Sequence, residues 1–453
     1  MFKTLKNAWK TPDLQKKMLF TLFIVLLYRL GACICVPYVS GDVSESFSAS
    51  FGSSALGLMS MLSGGAMQYV TLFALSVSPY ITASIVIQLL TVAIPALERL
   101  AKDGAEGQKK INIITRYVTV GLALITSFGY SMIIKSGGDS VAGTTWFSSV
   151  VGSGEGQTPV WFAMIVINAC FVAGAALVMW IAELINDKGI GNGISVILCI
   201  NIIAGFPSLL LTLVNSIKTS EKLWVDILVA VGVVVVAVLA IAFIIFVTNS
   251  ERRIPIQYAK RQVGRKMYGG QNTNLPIKLN MTGVMPIIFA SSIVSLPALI
   301  LEFIPNGDQT AFGKFIDSFF DTDTWLYLVL FLVLIVAFSY FYILISFNPV
   351  EVANNINSNG GAIPGHRPGR PTVQYINRIL KRVTLIGAFF LCIVAGVPML
   401  VVVIMSLIPN APQGLGVLAF SGSSLLIVVG VVLEIIRDIE AQLSLRMSKG
   451  FLG

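Results

Sequence analysis

Ten separate apolar runs, each of about 20 residues or more, constrain this chain more than any other feature. They lie at 18–37, 72–95, 114–134, 159–182, 192–214, 225–247, 282–303, 324–347, 382–408 and 423–441. A helix rises about 1.5 Å per residue, so roughly 20 residues cross a hydrocarbon core of about 30 Å. Backbone polar groups find no water at that depth, and only helices close all their hydrogen bonds within one segment. Charged residues make up 12% of the chain and hydrophobic ones 55%, whereas a soluble domain carries about 25% charged residues. The expectation is an all-α polytopic membrane protein with ten transmembrane helices.

Charge orients these spans. With the amino terminus inside, ten spans return the carboxy terminus inside. The outside loops then hold only Lys135, Lys218, Lys222 and Lys314 among the basic residues, alongside a larger number of acidic ones. Nearly all the other Lys and Arg fall in inside stretches and helix ends, which is the positive-inside pattern. Lysines 3, 6, 10, 16 and 17 before the first run resemble a signal-peptide flank. Arg29 interrupts that run, however, and no small-residue cleavage pattern follows, so the span is expected to be retained. Cys33, Cys35, Cys170, Cys199 and Cys392 sit in apolar segments and read as small hydrophobes.

Several chemistries find no residues to perform them. The single histidine, His366, lies in a loop without clustered ligands, so no metal or other cofactor is implied. No G-x-x-x-x-G-K-[ST] loop is present, so nucleotide energy would have to come from a partner. Arg29 and Glu434 are the ionisable residues expected at depth. Arg29 can snorkel or bond to carbonyls, and Glu434 is spaced to pair with Arg437.

Three segments depart from a plain span. In "PYITASIVIQLLT" (residues 79–91), Ile81, Thr82, Ile85 and Gln88 share one arc of a helix with the preceding Ser78. This face suits either a buried helix contact or the wall of an aqueous path. "SSALGLMSMLSGGAM" (residues 53–67) is uncharged, broken at Gly64 and Gly65, and too short to span. It reads as a re-entrant or interfacial piece, or as a block seated in a cavity. "DKGIGNGIS" (residues 187–195) allows a tight turn and close helix approach, with Asn192 placed to cap the next helix.

Two long basic loops face inside. One, at about 248–281, carries Arg252, Arg253, Lys260, Arg261 and Arg265. The other, at about 348–381, carries Arg367 at a Pro/Gly tip. Topology and anionic lipids would use some of this charge. The rest suits docking on an acidic protein or structured RNA.

Read together and in order, "LFALSVSPYITASIVIQLLT", "GIGNGIS", "RRIPIQYAKRQ", "LPIKLNMTGVMPIIFASSI", "NPVEVANN", "PGHRPG" and "GSSLLIVVGVVLE" resemble the SecY/Sec61-alpha family of protein-conducting channels along essentially the whole chain. The resemblance implies two pseudosymmetric five-helix halves, 18–214 and 215–441, around an hourglass pore. A cytoplasmic segment (1–17) and tail (442–453) flank them. It implies a pore ring of Ile81, Ile85, Leu198, Ile288 and Ile427, with Val77 and Ile194 nearby. It also implies a plug over about 54–65 that includes Ser54, Met59, Met61, Gly64 and Gly65. Ser78, Thr82 and Gln88 become lateral-gate candidates, and the basic loops become docking sites.

The implied activity is non-enzymatic passage of unfolded, signal-bearing polypeptides across a bacterial plasma membrane, with lateral release of hydrophobic helices. The implied partners are SecE and SecG in the membrane, the SecA ATPase, the translating ribosome with its RNA, signal peptides and nascent chains, and anionic lipids. Leu198 stands where familiar bacterial members usually carry isoleucine, and His366 departs from the familiar loop motif. Without the resemblance, channel and ion-coupled transporter would be equally placed.

Overall fold

The computed structural model describes residues 9–39, 60, 63–136, 147, 151, 158–219, 223–258, 261–263, 266–268, 272–302, 324–406 and 416–449. Its helices are α1 (Pro12–Gly31), α2 (Ser78–Ala93), α3 (Pro95–Lys102), α4 (Gly104–Ser136), α5 (Val160–Lys188), α6 (Gly193–Thr219), α7 (Leu223–Asn249), α8 (Met285–Glu302), α9 (Trp325–Ser346), α10 (Pro349–Ser358), α11 (Arg370–Ser406) and α12 (Gly416–Lys449). Each apolar run overlaps one of them. Among the described residues, four helical stretches are long and apolar enough to cross a membrane: Glu106–Lys135, Val160–Lys188, Trp325–Ser358 and Arg370–Val401. Side chains such as Phe246 and Leu344, 74% and 72% exposed, turn outward and suit lipid contact.

The run at 72–95 is helical over a shorter length than its hydropathy predicts. Residues 63–77 form a stack of turns, with φ of +46° at Val70 and +49° at Ser76. Thr71 Oγ1 donates to Ala66 O (3.1 Å), and Tyr130 Oη donates to Met67 O, pinning the stack to α4. The helix starts only at Ser78, with Pro79 in its first turn, where a missing N–H costs nothing. At its other end Ile94 is extended ahead of Pro95, and the chain bends by 106° into α3. If this bent pair counts as one span, the spans number up to five.

The helices bury one large apolar cluster drawn from α1, α2, α5, α6, α7, α8, α9, α11 and α12. The first five apolar helices (α1, α2, α4, α5, α6) meet the last five (α7, α8, α9, α11, α12) along two main seams. At the front, α8 packs on α2 and α4, and at the back, α6 packs on α7 and α12.

The two basic loops contain strands that the all-α expectation omitted. β1 (Glu251–Tyr258) pairs antiparallel with β4 (Asn272–Lys278) and with β5 (Gly361–Ala362), giving the order β4-β1-β5. β2 (Arg261–Val263) and β3 (Lys266–Tyr268) form a separate hairpin. Alternation explains β1: Ile254 and Ile256 point into a small core with Ile277, Ile356, Ile363 and Ile376, while Arg253, Pro255 and Gln257 face out. The bond pattern Gln257↔Ala362 joins loops about 100 residues apart into one platform.

Candidate functional site

Helices of both groups converge at the middle of the bundle on a narrow apolar constriction. Ile81 on α2, Leu198 on α6, Ile288 on α8 and Ile427 on α12 line a cavity of about 50 Å3, together with Val77 at the start of α2. Each is at most 8% exposed. Ile85, one turn further along α2, belongs to the same apolar cluster without lining the cavity, and Ile194 packs against that cluster from α6. These aliphatic side chains offer water no partner, and the cavity has room for only a few molecules. On its other side stand Ser63, Met67 and Ala74 of the turn stack.

Ser54, Met59 and Met61 lie outside the described residues, whereas Gly64 and Gly65 are in place. Gly64 adopts φ +66°, and a Cβ there would stand 2.9 Å from Arg29 Nη1 and 3.0 Å from the Asn201 backbone. Only glycine meets both demands. Arg29 is partly buried, and its Nη1, set against this glycine, has no hydrogen-bond partner among the described residues.

Beside it is a polar node that sequence reasoning missed. Asn201 Nδ2 donates to Tyr28 Oη (2.9 Å) and to Ser76 Oγ (3.0 Å), and the two hydroxyls lie 3.3 Å apart. Tyr28 also stacks on Phe73 at 5.4 Å. The node ties α1, the turn stack and α6 together. A lone asparagine within "LCINII" was its signal, because a polar side chain in an apolar span needs partners.

At the front seam, Ser78 reaches the cavity, as do Thr126 of α4 and Ser291 and Ser292 of α8. These last three were not singled out in the sequence. Thr82 and Gln88 keep their hydrogen bonds within α2: Thr82 Oγ1 donates to Ser78 O (3.1 Å), and Gln88 Nε2 donates to Ser84 Oγ (3.4 Å).

The glycine loop behaves as its composition predicts. Gly191 has φ +78°, and a methyl on Gly193 would collide with the Ala182 carbonyl. Asn192 Oδ1 accepts from Ile194 N–H (3.1 Å), capping α6.

On the basic platform, Arg252, Arg253 and Arg367 are exposed. Arg253 Nε meets Glu251 Oε1 at 2.7 Å, an exposed pair worth little to stability. Lys260 and Arg265 lie outside the described residues, and of Arg261 only the backbone, in β2, is described. The Arg367 tip is built rather than loose: its carbonyl accepts from Thr372 Oγ1 (2.8 Å), and the neighbouring His366 ring lies 4.1 Å from that of Tyr375. At the platform's base, partial burial pushes the Lys278 amine below its ordinary pKa. Arg437 pushes the same way, and Glu251 and Glu434 oppose both. Arg437 itself turns to the end of α7, with Nη2 2.9 Å from Thr248 O, and not to Glu434.

A bundle of apolar helices, with bulky aliphatic side chains meeting around a small central cavity and a basic platform at one end, defines a polytopic membrane protein with an apolar constriction. The chain belongs to the SecY family, whose profile matches residues 71–436. It is 42% identical over 459 residues to the protein translocase subunit SecY of Streptomyces coelicolor, with 100% of each chain covered. Among solved structures, it aligns with one reported for the SecY plug domain stabilising the closed state of the translocation channel (TM-score 0.61, 16% identity, 94% and 92% covered). It also aligns with Sec61 in the canine ribosome-channel complex (TM-score 0.56, 14% identity, 94% and 92% covered).

Proposed function

We propose that this chain is the conducting subunit of a bacterial protein translocase, passing unfolded, signal-bearing polypeptides across the plasma membrane and releasing hydrophobic helices sideways into the bilayer. One observation carries the reading: Ile81, Leu198, Ile288 and Ile427, from four helices on both sides of the bundle, meet around a single small apolar cavity. A collar of this kind disfavours a continuous water column, yet offers no charge or hydrogen bond to retain a moving chain. Family membership and full-length similarity to a translocase subunit support it.

In this reading all ten apolar runs span the membrane, both termini are cytoplasmic, and residues 18–214 and 215–441 form the two halves. The front seam of α2 and α4 against α8 is the lateral gate. Its hydroxyl side chains at Ser78, Thr126, Ser291 and Ser292 associate weakly enough to part when a signal helix takes their place. That helix then moves from an aqueous funnel to lipid, gaining about 0.8 kcal/mol per buried methylene. The segment at 54–65 serves as the plug. Because the chain brings no nucleotide-binding loop, the SecA ATPase or the translating ribosome drives movement. These partners dock on Arg252, Arg253, Lys260, Arg261, Arg265 and Arg367, while SecE and SecG accompany the channel and anionic lipids meet the remaining basic charge. The ribosome-bound state of the structurally similar Sec61 supports the ribosomal partner.

The test is reconstitution with SecE and SecG in vesicles. ATP- and SecA-dependent protection of a signal-bearing substrate from added protease is the expected result. Saturable uptake of a small solute with no substrate protection would favour a transporter instead.

A further inference from the structure

Two consecutive residues of α12 grip opposite sides of the back seam. Arg437 Nη2 donates to Thr248 O and to Asn249 Oδ1, each at 2.9 Å, at the end of α7. Asp438 Oδ2 accepts from the Gly191 N–H at 3.0 Å, in the loop that starts α6. Neighbours on a helix point about 100° apart, so one turn of α12 reaches both α7 and α6.

The Asp438 contact is reinforced from two directions. Gln442 Nε2, one turn on, lies 3.3 Å from each Asp438 oxygen, and Lys17 Nζ on α1 donates to Gln442 Oε1 at 3.2 Å. Thr21, a turn beyond Lys17, accepts from the Ile190 N–H at 3.1 Å. Leu14, Ile190 and Ile439 close a small buried apolar cluster at the same place. Gly191 combines φ +78° with a Cβ position 3.0 Å from Ile435 Cγ1, so a side chain there would be strained and would press on α12.

We propose that Arg437 and Asp438 form a hinge pin, which fixes the basic end of the back seam so that the front seam opens by rotation and not by sliding. The inference rests on the two-half reading: α6 ends the first half, α7 begins the second, and α12 bonds to both across their boundary. Each grip includes a backbone group, the Thr248 carbonyl on one side and the Gly191 amide on the other, so rotamer changes on α6 and α7 leave those contacts in place. Asp438 touches no substrate and is a positioning residue: it narrows the set of geometries open to the gate.

The experiment uses the full chain with SecE and SecG, with Cys33 and Cys35, both exposed, replaced by serine. Spin labels at Val86→Cys on α2 and Ile293→Cys on α8 report the distance distribution across the front seam, beside export of substrates with intact and defective signals. Asp438→Leu should broaden the distribution by half or more and raise defective-signal export several-fold. Asp438→Asn keeps an oxygen for the Gly191 N–H and should stay near the parent width. A folded Asp438→Leu complex with the parent width overturns the pin, and so does an Asn variant as broad as the Leu variant. If Asp438→Leu does not assemble, Gln442→Leu, which removes only the brace, should broaden the distribution to a lesser degree, and parent width there overturns the pin as well. Intact-signal export by the parent separates the two levels: its absence counts against the channel reading, whereas its presence with an unchanged Asp438→Leu gate counts against the pin alone.

Discussion

Asn201 on α6 donates a hydrogen bond to the Tyr28 hydroxyl of α1, 173 residues away in sequence, at 2.9 Å, and a second one to Ser76 at 3.0 Å. The amide thereby fixes the turn stack beside the constriction, because Gly64 packs directly on the Asn201 backbone.

Asn201→Leu should therefore lower stability modestly. Tyr28 and Ser76 remain within 3.3 Å of each other and can still bond, so the expected loss is about 1 kcal/mol. Thermal unfolding of the purified complex measures it, as a lowered Tm with intact assembly. An unchanged Tm would mean that the node contributes nothing net.

The glycine loop makes a sharper prediction. Gly193→Ala places a methyl on the Ala182 carbonyl, a backbone atom that cannot swing aside. The α5–α6 junction must then shift, and the yield of folded protein should fall severely. Gly205→Ala, on the same helix with open space around its Cβ position, should be neutral or slightly stabilising. Comparing their detergent-extracted monodisperse yields checks the contrast.

The same loop shows how much the sequence could reveal. The glycine spacing, the Asn192 cap and the helical character of the apolar runs were legible because they depend on local composition and periodicity. The family resemblance named Ile81, Ile85, Leu198, Ile288 and Ile427 as one ring, of which all but Ile85 line the cavity. The Asn201 node, the pairing of Gln257 with Ala362 and the Arg437–Thr248 contact join residues 100 or more positions apart. No local pattern encodes which distant partner a polar group will choose. The late start of α2 was hidden for a different reason: residues 72–77 are as apolar as a span, but hydrogen bonds from Thr71 and Tyr130 hold the stack in turns.

Docking on the basic platform can be separated from topology. Arg367 is exposed at a tip braced by Thr372 and the His366–Tyr375 ring contact, so Arg367→Glu should leave insertion and SecE assembly intact. Affinity for SecA or for ribosomes should fall about tenfold or more, or roughly 1.4 kcal/mol. Arg253→Glu should be milder and more salt-sensitive, because Arg253 already shares its charge with Glu251 at 2.7 Å. Binding titrations at two salt concentrations decide the matter, and normal affinity of both variants would reassign these charges to lipid and topology.

The central claim is that a collar of bulky aliphatic side chains seals the channel, and ion conductance tests it most directly. Pairs drawn from Ile81, Leu198, Ile288 and Ile427, replaced by Gly or Ser in the assembled complex, remove apolar bulk from a cavity of about 50 Å3 and let water bridge it. In planar bilayers without substrate, resting conductance should rise well above that of the parent, further in triple variants than in double ones. Folded double and triple variants that stay as tight as the parent would contradict the account.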